Sequence, residues 1–268
     1  MQSIGKSLKS AYKICEPDYV DEHSKVLDKL MFDVNFKRVD KIDRGSYVHN
    51  YHRPYGKLLG PTRDKIRTVL EVGIWTGMGL LTWAKYFPNC KVVEGIDNTF
   101  RYERKIKRLF TDPDSDKIRL NWCDTTSTEL VHQHLNPYKY NEYFDVIFDD
   151  GNHFASGQKA TIINLWNYLK LGGWYMIEDI TDTFEPPDKI LEYANELSAR
   201  GHEVGWFEFP KQDKDNHDSN LIAIKKSYLT TMNTPSENPD APWVRSDWPD
   251  SRLSDPTRVK SDWPYGFG

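Results

Sequence analysis

From Thr68 onward the sequence repeats one alternation: a short apolar run that ends in turn or acidic residues, followed by a span with helical spacing. The runs are TVLEVGI, CKVVEGID, FDVIFDD and GGWYMIED. Between and after them lie GMGLLTWAKYF, TFRYERKIKRLF, STELVHQHL, SGQKATIINLWNYLK and PPDKILEYANELSAR, the last opening with prolines where a missing amide costs least. Such alternation predicts βαβ units and therefore a mostly parallel sheet with helices on both faces, an α/β architecture. Two more strand-like runs, HEVGWFEF and SNLIAIKK, are separated only by the polar loop KQDKDNHD. They predict a closing antiparallel hairpin, with the sheet ending near Lys226.

Around this centre the chain divides in three. Residues 1–65 are polar and helical in pattern, with Val20, Val26, Leu27, Leu30 and Met31 spaced to line one helix face. They close with RGSYVHNYHRPYGKLLGP, dense in Tyr and interrupted by Pro54 and Pro61, which reads as an active-site flap. Residues 66–228 carry the sheet. Residues 229–268 hold six of the fifteen prolines and a repeated SDWP, at Ser246–Pro249 and Ser261–Pro264. With Trp243, Trp248, Trp263 and Phe267 they predict an extended arm that packs on the protein or forms a homo-oligomer contact.

Composition narrows the partners. Thirty-six Lys and Arg against forty Asp and Glu give a net charge of -4, so there is no global positive field to hold a phosphate backbone, and nucleic acid is not expected. RYERKIKRLF reads as a solvated helix face. No run approaches the roughly 18 apolar residues of a membrane helix, and the first residues lack the apolar heart of a signal peptide, so the expectation is a cytoplasmic protein with no membrane contact. Cys15, Cys90 and Cys123 are odd in number without metal-type spacing, which predicts reduced, buried thiols.

TVLEVGIWTGMG is a strand running into a glycine-rich turn and then a helix, the arrangement that lets backbone approach a nucleotide-like ligand. Counted from Gly73, Trp75 and Met78 stand where the dinucleotide fingerprint requires its second and third glycines, which disfavours NAD. Glu71, Gly73 and Gly77 instead form an E-x-G-x-x-x-G run that resembles the first motif of class I S-adenosylmethionine-dependent methyltransferases, a Rossmann-like fold. Asp97 ends the second predicted strand, where a carboxylate accepts from a ribose diol. Asp124 ends the third, where that class puts an acid near the adenine amino group. Either Asp is alternatively a helix cap, because Thr99 and the TTST run follow.

Two segments, DVIFDDGNHF and GGWYMIEDI, end in carboxylates. In a parallel sheet the carboxyl ends of successive strands open on one edge about 4.8 Å apart, so Asp150, Glu178 and Asp179 can converge. Acids that close do not all ionise without a compensating cation. Oxygen ligands favour a hard ion, Mg²⁺ first, with Mn²⁺ or Ca²⁺ as alternatives. By alternation Asp149 points away from Asp150, and Glu178 and Asp179 diverge unless the strand ends there, with Asp182 a substitute ligand.

D-D-G-x-H, L-K-x-G-G-W-Y-x-I-E-D and H-N-Y-x-x-x-Y, spread in order over residues 45–182, resemble the metal-dependent sugar O-methyltransferases of macrolide biosynthesis and the cephalosporin-hydroxylase-like proteins. Leu171 stands where that family often has a turn proline. The resemblance implies metal ligation by Asp150, Glu178 and Asp179, His153 as general base, S-adenosylmethionine as methyl donor and a sugar or glycoside acceptor. A loop histidine satisfied by backbone is the plainer reading of His153. In the flap, His49, Tyr51, His52 and Tyr55 become candidates to stack on a sugar or cover the donor. The alternatives are a catechol or phenol acceptor, an iron hydroxylase requiring two His and one carboxylate, and a non-catalytic donor-binding subunit.

Overall fold

The computed structural model describes residues 20–36, 44, 49–99, 110–209 and 220–227. The chain separates into two compact units, 1–230 and 231–268. The predicted C-terminal arm and the RYERKIKRLF helix fall outside the described residues.

The apolar runs become strands: β1 (Thr68–Val72), β2 (Val92–Asp97), β3 (Ile118–Trp122), β4 (Phe144–Asp149) and β5 (Leu169–Ile177). These five are mutually parallel, and β6 (Glu203–Glu208) and β7 (Asn220–Lys225) add the expected antiparallel hairpin. The order across the sheet is β3-β2-β1-β4-β5-β7-β6. Because β1 lies between β2 and β4, the chain reverses direction of travel beside it, and such a switch point opens a crevice at the strands' carboxyl ends.

Helices cover both faces. α1 (Glu22–Phe36) and α2 (His52–Leu59) precede the sheet. α3 (Met78–Tyr86) begins after Gly77, and α4 (Thr128–His134) after Ser127, whose hydroxyl accepts from the Leu130 amide. After the short α5 (Pro137–Tyr140) come α6 (Ala155–Leu165) and α7 (Asp188–Ala199), the last opening after Pro187.

Strand alternation sorts the buried side chains into two cores. Val69, Val146, Phe148 and Met176 face α1, α2 and α3; Leu70, Ile147, Tyr175 and Ile177 face the opposite helices. In the first core Trp83 lies flat on Phe148 with ring centroids 3.9 Å apart, and Tyr55 meets both rings edge-on.

Two expectations are corrected here. The α1 stripe is narrower than the sequence suggested: Leu27 and Met31 are buried, but Val20 and Val26 are exposed. The aromatics around α2, expected to face a ligand, are core residues instead. Tyr51, Tyr55 and Leu59 have no exposed surface and belong to the first core, because α2 is wedged between α1 and the sheet. Tyr and His in that stretch suggested ligand contact; burial among apolar neighbours overrode the suggestion.

Trp83→Ala should therefore cost about 3–5 kcal/mol of unfolding free energy, measurable by urea denaturation, because it removes the largest side chain of that core. A loss below about 1 kcal/mol would contradict this packing.

Candidate active site

The strand ends are built around a side chain from outside the sheet. Arg44, 3% exposed, reaches three carboxylates at once. Its Nε donates to both oxygens of Glu178 at 2.8 and 2.7 Å, one terminal nitrogen to Glu71 Oε1 at 2.7 Å, and the other to Asp150 Oδ2 at 2.7 Å. The three acids meet there because alternation puts Glu71 on β1, and the residues just past β4 and β5, on the same sheet face as Phe148 and Met176. Gly79, in the first turn of α3, leaves room for the cluster. A Cβ there would overlap Glu71 Oε1 and the Arg44 guanidinium.

One cation does not balance two buried carboxylates and a third, Asp150, that is partly buried. Burial pushes Glu71 up to about 7 and Glu178 up to about 8, against the lowering pull of Arg44. Protons thus share in neutralising the cluster near neutral pH. Glu71 Oε2 is buried with no hydrogen-bond partner.

Glu178 and Asp179 part company as alternation requires. β5 ends at Ile177, Glu178 turns to Arg44, and Asp179 adopts φ +55°, a left-handed conformation uncommon for a side-chain-bearing residue. That twist brings Asp179 round toward Asp150. The Tyr51 hydroxyl donates to Asp179 Oδ1 at 2.7 Å and accepts from the Asp179 amide at 3.1 Å, holding the strained residue. Its second oxygen lies 3.5 Å from His153 Nε2, and Asp150 Oδ1 lies 3.6 Å from the same nitrogen. Asp150, His153 and Asp179 each offer one ligand atom, all within 4.8 Å of one another. The convergence expected of Asp150, Glu178 and Asp179 is thus divided: Glu178 faces the arginine, and His153 stands with the two aspartates. Asp149 faces the other way, as alternation predicts, and accepts from the Tyr175 hydroxyl at 3.0 Å.

The glycine loop lies beside this group. Gly73 has φ +84°, and a Cβ there would overlap the Asp150 carbonyl oxygen, so only glycine lets β1 turn so close to the end of β4. Gly77, at φ +81°, precedes α3 and bonds back to Ile74 O at 2.7 Å. Asp97 accepts from the Ile74 and Trp75 amides at 2.8 and 3.3 Å through Oδ2, and from Thr99 N at 2.9 Å through Oδ1. Three of its roughly four acceptor positions are engaged in shaping the loop. Asp124 Oδ1 accepts from the amide and hydroxyl of Thr126 at 2.9 and 2.7 Å, which is the local-turn alternative read from its sequence.

Comparison with known proteins agrees with this geometry. No family model matches the chain. Its sequence is 28% identical over 151 residues to L-olivosyl-oleandolide 3-O-methyltransferase of Streptomyces antibioticus, covering 54% of this chain and 36% of that protein. It is 25% identical over 146 residues to 8-demethyl-8-alpha-L-rhamnosyl tetracenomycin-C 2'-O-methyltransferase of Streptomyces olivaceus, covering 52% and 35%. The match thus spans about a third of the length of these relatives. Among solved structures, the MycE methyltransferase of the mycinamycin pathway, in complex with Mg and SAH, superposes with a TM-score of 0.57 at 19% identity over 79% of this chain and 57% of that one. The O-methyltransferase TomG of Streptomyces achromogenes, in complex with SAM, gives 0.50 at 16% identity over 78% and 92%. The fold is that of the Rossmann-like class I methyltransferases. Over the matched residues, its sequence resembles O-methyltransferases named for olivosyl and rhamnosyl compounds.

Two outcomes are expected. Arg44→Met leaves buried carboxylates uncompensated and should cost about 3–5 kcal/mol in urea unfolding; a loss under about 0.5 kcal/mol would show that the cluster does not need the guanidinium. The second concerns pH. Glu71 and Glu178 hold protons in the folded state to about 7 and about 8, whereas in the unfolded chain they release them near 4.3. The folded state therefore binds more protons across that window, and its stability falls as pH rises through it. In EDTA, the melting temperature should be lower at pH 8 than at pH 6, and an increase over that range would contradict the burial argument.

Proposed function

We propose that this chain carries the catalytic domain of a divalent-metal-dependent O-methyltransferase, which moves a methyl group from S-adenosylmethionine to a sugar hydroxyl of a glycosylated small molecule. The observation that carries the reading is the meeting of Asp150, His153 and Asp179 at the strand edge against which the Gly73 loop is packed. The acceptor class is supported by the relatives named for olivosyl and rhamnosyl substrates, and by the crystallisation of MycE with Mg, SAH and mycinamycin VI.

The residues fit both groups. For the donor, the Gly73–Gly77 turn offers backbone, Asp97 keeps one acceptor position for a ribose hydroxyl, and Asp124 remains the candidate near the adenine. Glu71 Oε2 is a buried acceptor without a partner, suited to an ammonium or N–H. For the ion, Asp150 Oδ1 and Asp179 Oδ2 supply hard oxygen ligands that suit Mg²⁺, with Mn²⁺ also favoured by a nearby imidazole. Both Glu178 oxygens accept from Arg44 Nε, so Glu178 is held away from this pair by the arginine rather than presented with it. When bound, a divalent ion polarises the acceptor hydroxyl and fixes a neighbouring one.

His153 Nε2 accepts the hydroxyl proton as the oxygen–methyl bond forms and the sulfonium–methyl bond breaks, which leaves S-adenosylhomocysteine. The nitrogen that takes the proton lies 3.6 and 3.5 Å from Asp150 Oδ1 and Asp179 Oδ2. Such a base contributes about 10² to 10⁴ in rate. Arg44 and Tyr51 keep Asp150 and Asp179 aimed at this nitrogen.

The same distances favour a second reading, in which His153 is itself a metal ligand. The iron hydroxylase alternative needs two histidines and one carboxylate; this group holds one histidine and two carboxylates.

His153→Ala separates the first two readings. As a base, its loss should lower methyl transfer to a rhamnoside by about 10² to 10⁴ while Mg²⁺ affinity stays near that of the wild type. As a ligand, its loss should weaken metal binding about ten-fold or more. Full turnover in the variant, or wild-type turnover unaffected by EDTA, would overturn the proposal.

A further inference from the structure

Two large apolar rings stand exposed beside the candidate base. Phe154 is 49% and Phe184 54% accessible, whereas most other large apolar side chains among the described residues are buried. Their centroids lie 5.6 Å apart, and Phe184 lies 6.3 Å from the His153 imidazole. Adjacent exposed aromatics at the rim of a polar site commonly mark where the apolar part of a ligand rests.

The rings come from different loops, after β4 and after β5, and both are fastened. Asn152 Oδ1 accepts from the Phe154 amide at 2.9 Å. Thr181 Oγ1 accepts from the Thr183 amide at 3.0 Å, fixing the turn before Phe184. One carboxylate ties the two loops together. Glu185 Oε2 accepts from the Ser156 amide at 2.8 Å and hydroxyl at 2.7 Å, while Oε1 accepts from Lys189 at 2.6 Å. Phe154, at the N-cap of α6, has no capping side chain, so Glu185 caps that helix from the neighbouring loop. These bonds fix the backbone on which the two rings are mounted.

From this juxtaposition we infer that Phe154 and Phe184 form a platform for the apolar aglycone of the acceptor, with Glu185 as a positioning residue that holds the two rings in register. The inference rests on the methyltransferase reading for its acceptor class. With a sugar hydroxyl at His153, Phe184 stands 6.3 Å from the imidazole and Phe154 5.6 Å from Phe184, within reach of the group that the sugar carries. The platform selects glycosides with an apolar aglycone over small alkyl glycosides.

The test measures binding, separately from turnover. Calorimetric titration of the full chain, in the presence of S-adenosylhomocysteine, compares 4-nitrophenyl α-L-rhamnopyranoside with methyl α-L-rhamnopyranoside. The wild type should bind the aryl glycoside about ten-fold more tightly. Phe154→Ala/Phe184→Ala should erase that preference and Glu185→Gln should reduce it, with S-adenosylhomocysteine affinity unchanged in both; the double variant should keep the wild-type melting temperature, whereas Glu185→Gln lowers it by no more than the loss of one helix cap. Equal binding of the two probes by the wild type, absence of aryl glycoside binding, or a preference that survives loss of both rings would overturn the platform. If the rings govern binding but no methyl transfer occurs, the platform stands and the methyltransferase reading fails. Methyl transfer indifferent to the rings has the reverse meaning.

Discussion

The site depends on placing one guanidinium among three carboxylates, two of them buried and the third, Asp150, partly so. Glu71, Asp150 and Glu178 come from three adjacent strands and converge because sheet geometry leaves them on one face, where mutual repulsion and lost hydration oppose their charge. Arg44 meets that cost with its fork, donating in three directions from a planar group that Lys does not reproduce. The room it occupies is set by Gly79 and by the Trp83–Phe148 stack beneath it, whose indole lies 6.0 Å from the guanidinium carbon. Packing of the first core and electrostatics of the site are therefore one problem.

With Glu178 engaged by Arg44, the acids divide into a structural set and an open set. Asp150 belongs to both, giving Oδ2 to the arginine and presenting Oδ1 to His153. Asp179 joins the open set only through its left-handed backbone, which Tyr51 secures from α2's leading edge. The close contact of Gly73 with the Asp150 backbone then keeps the glycine loop against the open set. Short, rigid links of this kind favour a reaction in which two substrates must meet in line.

Much of this was legible in the sequence, because it rests on local rules. The apolar runs marked the strands, their acidic ends marked the functional edge, and period-two alternation separated Asp149 from Asp150 and Glu178 from Asp179. What escaped is long-range. Arg44 meets partners 27, 106 and 134 residues away, and nothing in its neighbourhood distinguishes it from other basic residues. The best available signal was arithmetic: three convergent acids imply a cation, and reading that cation solely as a metal overlooked an arginine. Tyr51 and Tyr55 looked like ligand-facing aromatics because residue type alone does not reveal burial. Asp97 and Asp124 bond to nearby amides, so a carboxylate at a strand end reads equally as ligand contact or as local turn. The comparisons support the class through relatives that share about half of this chain, whereas the Arg44 cluster comes from the geometry.

The central claim is that the open set, Asp150 with Asp179 beside His153, is where a divalent ion sits while Glu178 stays with Arg44. Anomalous scattering from crystals grown with Mn²⁺ tests this directly. The account predicts a peak about 2.0–2.2 Å from oxygens of Asp150 and Asp179, with the Arg44–Glu178 contact preserved. A peak elsewhere, no peak there, or an ion on Glu178 with Arg44 expelled would contradict it.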